Sequence, residues 1–131
     1  MPCRILVLIS GNGSNLQAII DACAHGEISG EIIGVISNVP SAYGLERARS
    51  AGISCSVIDH KAFAQRADFD QALFDAMQAY QADLVVLAGF MRILSEKIVT
   101  HYLGRMINIH PSLLPKYPGL NTHQRAIDAG D

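Results

Sequence analysis

Charge is scarce in this chain. Asp, Glu, Lys and Arg make up 17% of its 131 residues, and ten basic against twelve acidic side chains leave a net charge of −2. No basic block breaks the balance, which excludes the electrostatic footprint of a nucleic-acid binder. No apolar run approaches the ~20 residues of a membrane-spanning helix, so no membrane partner is expected. Met1-Pro2-Cys3-Arg4 passes straight into a short apolar run, Ile5 to Ser10, without the longer apolar region and small-residue cleavage site of a signal peptide. A cytoplasmic protein is the expectation. Cysteine is sparse too: Cys3, Cys23 and Cys55 are odd in number and far apart, form no metal or redox motif, and read as reduced thiols packed like small hydrophobes. No His/Cys/Asp/Glu cluster has metal-ligand spacing, so metal catalysis is not expected. Against these absences stand an apolar fraction of 50% and a mean hydropathy of +0.24. They exclude intrinsic disorder and fit one domain over residues 1–131. They also leave apolar surface to be covered by something else, a second copy of the chain included.

Strand and helix patterns alternate along the chain. Ile5-Leu6-Val7-Leu8-Ile9, Ile32-Ile33-Gly34-Val35-Ile36, Ser54-Cys55-Ser56-Val57-Ile58, Leu84-Val85-Val86-Leu87-Ala88 and Met106-Ile107-Asn108-Ile109 read as five strands, the first apolar throughout, as a parallel strand covered on both faces would be. Leu16, Ile19, Ile20 and Cys23 form a helical stripe, with Ser14 or Asn15 available as cap and Gly26 as terminator. A short helix from about Tyr43 to Ala51 ends at Gly52; Phe69, Ala72, Leu73, Ala76, Met77 and Tyr80 form a second stripe; Ser95 caps a helix to His101. Repeated βα units of this kind predict an α/β fold: a Rossmann-like, doubly wound, mainly parallel sheet between two layers of helices. Ligands of such sheets bind outside the carboxyl ends of the strands, which directs attention to residues 10–15, 37–40, 88–94 and 108–115.

The loop Ser10-Gly11-Asn12-Gly13-Ser14-Asn15 joins the first strand to the first helix. Its glycines permit a tight turn, and the helix start offers free N–H groups and a positive dipole end, a combination suited to phosphate. A tight turn with a capped helix is the plainer reading. Leu16 stands where a dinucleotide fingerprint requires its third glycine, and the second strand ends in Ser37-Asn38 rather than an acidic residue, so NAD is disfavoured. No Gly-Lys-Ser/Thr follows, so the loop is not a nucleotide-triphosphate cradle; a small phosphorylated metabolite fits better.

After the fourth strand, Gly89 permits close ligand approach, and Phe90, Met91, Ile93 and Leu94 are unusually apolar for a carboxyl-edge loop. They suit a wall for a flat aromatic ligand or an anchor into the core; Arg92 suits an anion or an ordinary salt bridge. At the fifth strand's end, Asn108 and His110 are two apart and so share a face. A carboxamide N–H can stabilise an oxyanion, and an imidazole can move a proton near neutral pH. The pair suits acyl-type transfer through a tetrahedral intermediate. No Ser or Cys sits in a nucleophile elbow, so attack comes from the substrate itself. Pro111 and Pro115 stiffen the segment. The remaining histidines, His25, His60, His101 and His123, read as structural.

Taken together, the stretches 10–16, 87–94 and Asn108-Ile109-His110-Pro111-Ser112-Leu113-Leu114-Pro115-Lys116-Tyr117-Pro118-Gly119 resemble the phosphoribosylglycinamide formyltransferase family, in order and spacing over the whole chain. The resemblance implies transfer of a formyl group from 10-formyltetrahydrofolate, used as co-substrate, to the amine of 5′-phosphoribosylglycinamide in purine synthesis. It implies that Gly13, Ser14 and Asn15 hold the substrate phosphate, with Gly89 and Pro111 as further substrate-binding positions. Met91, Arg92, Ile93 and Leu94 would line the pterin pocket, Arg66 would contact the folate, Asn108 would contact the formyl group, and His110 would donate the proton. Methionyl-tRNA formyltransferase and formyltetrahydrofolate deformylase share the Asn-x-His and Ser-Leu-Leu-Pro pattern; the Gly-Asn-Gly-Ser-Asn loop and the absence of basic surface favour the small phosphorylated substrate. The family continues several dozen residues beyond Asp131, where it carries an aspartate partner for the histidine. The expectation is therefore a truncated chain with little activity alone, or a non-catalytic phosphate-binding fragment.

Overall fold

The computed structural model describes residues 3–92 and 94–109. Five strands, β1 (Cys3–Ile9), β2 (Gly30–Ser37), β3 (Cys55–Val57), β4 (Leu84–Ala88) and β5 (Met106–Ile109), form one sheet in the order β3-β2-β1-β4-β5, every neighbouring pair parallel. Helices α1 (Ser14–Ala24), α2 (Gly44–Ser50), α3 (Arg66–Tyr80) and α4 (Glu96–His101) supply the crossovers, and a short 3-10 turn spans His60–Ala62.

Strand β1 is central because its side chains are apolar on both sides. Ile5, Val7 and Ile9 enter one cluster with Leu16 and Ile19 of α1 and Leu45 and Ala48 of α2. Leu6 and Leu8 enter the other with Phe69, Leu73 and Met77 of α3 and Ile98 of α4. The chain winds β1 to β3 in one direction with α1 and α2 on one face. It then crosses to the other side of β1, and a constant crossover hand moves α3 and α4 to the opposite face. The doubly wound sheet expected from the strand pattern is present. The third strand is shorter than its sequence pattern, three residues pairing only with β2, as befits an edge strand.

Long-range polar contacts pin the ends. From the start of β1, Arg4 donates from Nε to the Gln81 carbonyl (3.1 Å) and from Nη2 to the Tyr80 carbonyl (2.8 Å), satisfying the orphan carbonyls at the end of α3 with a cation at the negative pole. The Tyr80 ring lies over Gly34, where a Cβ would sit 2.2 Å from its Cε1, and Tyr80 Oη is 2.7 Å from Ser56 Oγ.

Burial pushes the thiols of Cys3, Cys23 and Cys55 above the ordinary range, helped at Cys3 by the Asp83 carboxylate; at Cys55, Arg49 opposes the shift. Burial raises Tyr102 likewise, against the pull of Arg105. The folded chain therefore holds these protons more tightly than the unfolded chain. The associated stability is fully present below the unfolded values, about 8.5 for Cys and 10 for Tyr, and is lost as pH rises through the folded ones. Urea midpoints should stay level through neutral pH and fall above about pH 9; midpoints that rise there would contradict this.

Candidate active site

The strand order reverses between β1 and β4, so the carboxyl ends of these two strands flank the crevice where a doubly wound sheet receives its ligand. The loop after β1 and the loop after β4 meet there. A hydrogen bond joins them: the Met91 N–H donates to Ser10 Oγ at 2.8 Å.

The first loop does not have the predicted cap. Ser14 and Asn15 are already the first two residues of α1; Gly13 is the N-cap, in the left-handed conformation (φ 81°, ψ 22°), and no side-chain bond caps the helix. A residue inside the first turn cannot fold its side chain back onto N–H groups ahead of it, so neither Ser14 nor Asn15 takes that role. The consequence suits an anion. Among the described residues no side chain caps the first N–H groups of α1, and no acidic residue occupies its first turn. Gly13 is also where α1 touches α2: a Cβ there would lie 2.5 Å from the Gly44 Cα, and the Gly44 N–H donates to the Gly11 carbonyl at 3.0 Å.

Arg47, on α2, holds this loop from outside. Its Nε donates to the Asn12 carbonyl (2.9 Å) and its Nη2 to Asn12 Oδ1 (2.7 Å), while the guanidinium sits 5.0 Å over the Tyr43 ring. The fork fixes both ends of Asn12 and places a permanent cation beside the loop. Sequence reasoning missed it, because nothing in the spacing of residues 12 and 47 announces the contact. On the expectation that this loop binds phosphate, removing the fork as Arg47→Met should weaken that binding severalfold, about 1 kcal/mol for a half-exposed charged hydrogen-bond pair. Arg47→Lys should restore little, lacking the planar fork. Calorimetric titration with the phosphorylated substrate checks both.

The β4 loop divides its apolar residues. Phe90 and Leu94 pack against the core between the sheet, α3 and α4, whereas Met91 is 80% exposed. The wall inferred from sequence is thus partly an anchor, with Met91 presented outward. Gly89 has φ 76°. The Arg92 guanidinium lies 5.6 Å over the Phe69 ring, and its Nε is buried with no hydrogen-bond partner among the described residues. Phe69 belongs to the first turn of α3, which Arg66 opens; Arg66 Nε is 3.6 Å from Asp70 Oδ2. Arg66 and Arg92 are therefore brought to the same end of α3.

Asn108 lies near the carboxyl end of β5, paired with Leu87, two residues before Gly89 on the neighbouring strand. Its neighbours Ile107 and Ile109 face the core under α1 and α2, so the half-buried Asn108 takes the other face. Ile93, His110 and Pro111 lie outside the described residues.

A buried polar chain completes the edge. Ser10 Oγ donates to Asn38 Oδ1 at the end of β2, and Asn38 Nδ2 is 3.2 Å from His60 Nδ1. His60 packs edge-on against Phe69, centroids 6.3 Å apart. The sequence pattern marked residues 37–40 as a carboxyl-edge segment but gave Asn38 no role and read His60 as structural. Among the described residues no group of three or more His, Cys, Asp or Glu side chains is placed to hold a metal, and no helix is long and apolar enough to cross a membrane.

The formyl transferase family model matches residues 3–131. The chain belongs to the formyl transferase family. Over 128 residues it is 58% identical to phosphoribosylglycinamide formyltransferase of Escherichia coli strain K12, and over 128 residues 54% identical to that of Haemophilus influenzae strain Rd. Each alignment covers 98% of this chain and 60% of the relative. The solved phosphoribosylglycinamide formyltransferase of Coxiella burnetii, in complex with CHES, superposes with a TM-score of 0.81 at 56% identity, covering all of this chain and 62% of that one. The chain thus spans about three fifths of the length of these relatives. Membership of the formyl transferase family agrees with the resemblance drawn from the motifs, and the fold is that of its Rossmann-like relatives.

Proposed function

We propose that this chain supplies the phosphate loop, the folate-facing loop and the oxyanion carboxamide of a formyltransferase acting in purine biosynthesis. The formyl donor is 10-formyltetrahydrofolate and the acceptor is the amine of 5′-phosphoribosylglycinamide. The observation that carries the reading is the convergence, at the carboxyl ends of the adjacent strands β1, β4 and β5, of the uncapped start of α1, the β4 loop and Asn108. In this reading Gly13, Ser14 and Asn15 bind the phosphate, with Gly89 and Pro111 as neighbouring substrate contacts. Met91, Arg92, Ile93, Leu94 and Arg66 receive the folate.

The substrate amine attacks the formyl carbon, forming the new C–N bond. Asn108 donates to the resulting oxyanion. Collapse breaks the bond between the formyl carbon and the folate nitrogen, which takes its proton from His110, while the attacking nitrogen sheds one. The partners are two small molecules, and the compartment is the cytoplasm.

The span of three fifths of the relatives' length favours a second reading for the chain on its own, a phosphate-binding module that does not complete the reaction. A spectrophotometric formyl-transfer assay run beside calorimetry with phosphoribosylglycinamide separates the two. Turnover supports the first, binding without turnover the second, and the absence of both rejects the phosphate loop.

A further inference from the structure

The Ser10–Asn38–His60 chain lies beside the loops that the formyl-transfer reading assigns to ligands, yet that reading uses none of its side chains. Its hydrogen bonds have a direction. Met91 N–H can only donate, so Ser10 Oγ accepts it at 2.8 Å, and the Ser10 hydroxyl proton is thereby free for Asn38 Oδ1. With Oδ1 occupied, the Asn38 carboxamide turns its NH2 toward His60 Nδ1, which is 3.2 Å from both Asn38 Nδ2 and the Asn38 carbonyl and, depending on its tautomer, accepts from the first or donates to the second. The Met91–Ser10 bond fixes the orientation of the Ser10–Asn38 bond, and His60, in contact with Asn38, is held in turn by Phe69, the ring beneath Arg92. Ser10 is 7% and Asn38 2% exposed, so the bond between them is shielded from water, and the Met91 and His60 contacts are partly so. The chain ties the ends of β1 and β2 and the turn after β3 to the backbone of Met91.

We propose that Ser10 and Asn38 are positioning residues: through the Ser10–Met91 bond they hold the β4 loop in the conformation that receives the flat ring of the folate. Neither residue touches the reacting atoms. The ligand named here rests on the formyl-transfer reading; the internal geometry does not. A loop whose backbone tether at Met91 is cut gains conformations that must be lost again on binding, so affinity falls on the side of the site the loop serves and not on the phosphate side.

The test uses the chain as it stands. Amide hydrogen exchange should show Met91 protected, and Ser10→Ala should speed its exchange at least tenfold while the amides of β1 stay protected. Ser10→Thr, which keeps the hydroxyl, should restore protection. His60→Ala, a half-exposed position that leaves the core intact, should give a smaller acceleration in the same direction, which keeps the proposal testable if Ser10→Ala does not fold. A Met91 amide that exchanges freely in the unaltered chain, or is indifferent to these substitutions, overturns the proposal. In parallel, calorimetry with 5-formyltetrahydrofolate should show binding about five- to tenfold weaker in Ser10→Ala, with the affinity for phosphoribosylglycinamide within twofold of the unaltered chain. Equal loss for both ligands, or none for folate, rejects a positioning role. If the unaltered chain binds no folate while Met91 exchange responds as expected, the folate role given to this loop in the chain alone fails and the tether survives.

Discussion

On the formyl-transfer reading, replacing Asn108 by Ala in a protein of the relatives' full length should lower kcat for formyl transfer by about 10²–10³-fold, the usual cost of one oxyanion donor, with either ligand's affinity changed less than threefold. The expectation follows from position. Asn108 is half-buried at the carboxyl end of β5, and its strand neighbour Leu87 leads into Gly89 and the β4 loop. In the proposed reaction a donor there faces the charge that develops when the formyl carbonyl becomes tetrahedral, and the ground-state carbonyl needs it far less. The loss should therefore appear in kcat rather than in KM. Asn108→Asp should be no better than Ala, because an ionised carboxylate only accepts hydrogen bonds and would repel the oxyanion. Stability should barely move, since β5 is short, four residues, and the side chain is outside the two apolar cores; urea midpoints check this. A kcat within threefold of the unaltered protein, at equal stability, removes Asn108 from the chemistry and leaves a phosphate-binding domain.

The parts of this structure that were legible in the sequence are those dictated by local periodicity. Ile5 to Ile9 could only be a strand covered on both faces, and Phe69, Leu73 and Met77 could only be the inner face of a helix; both fall as expected. Alternation of such segments fixed the doubly wound sheet, and the sheet in turn fixed the edge at which to look for Asn108. What escaped was long-range. The Arg47 fork on Asn12 bridges 35 positions, and the Met91–Ser10 bond bridges 81; no local pattern encodes either. The cap of α1 failed for a subtler reason. Ser14 and Asn15 have the composition of cap residues, but the close approach of α1 to α2 requires the backbone to turn left-handed one residue earlier, and only Gly13 can be there. His60 looked unremarkable because its partner Asn38 arrives from another strand.

The two glycines of the first loop should accordingly behave very differently, although they look equivalent in a Gly-x-Gly motif. Gly13→Ala should destabilise the chain by about 2–4 kcal/mol. Roughly 1–2 kcal/mol comes from forcing a Cβ into the left-handed region at φ 81°. A further 1–2 kcal/mol comes from overpacking, because the new Cβ would sit 2.5 Å from the Gly44 Cα, a backbone atom that cannot swing aside, and 3.3 Å from Arg47 Cδ. Relief requires α1 and α2 to separate, which pulls on the Gly44–Gly11 bond and on the Arg47 fork at once. The start of α1 is then displaced, so on the formyl-transfer reading phosphate affinity should fall more than tenfold. Gly11→Ala meets nothing within 4 Å and has no left-handed backbone; it should stay within about 0.5 kcal/mol, as an unencumbered surface change does. Urea denaturation and calorimetry with phosphoribosylglycinamide on both variants decide the matter. If the two substitutions cost the same, the phosphate loop is not braced by the contact between α1 and α2, and the role given to Arg47 falls with it.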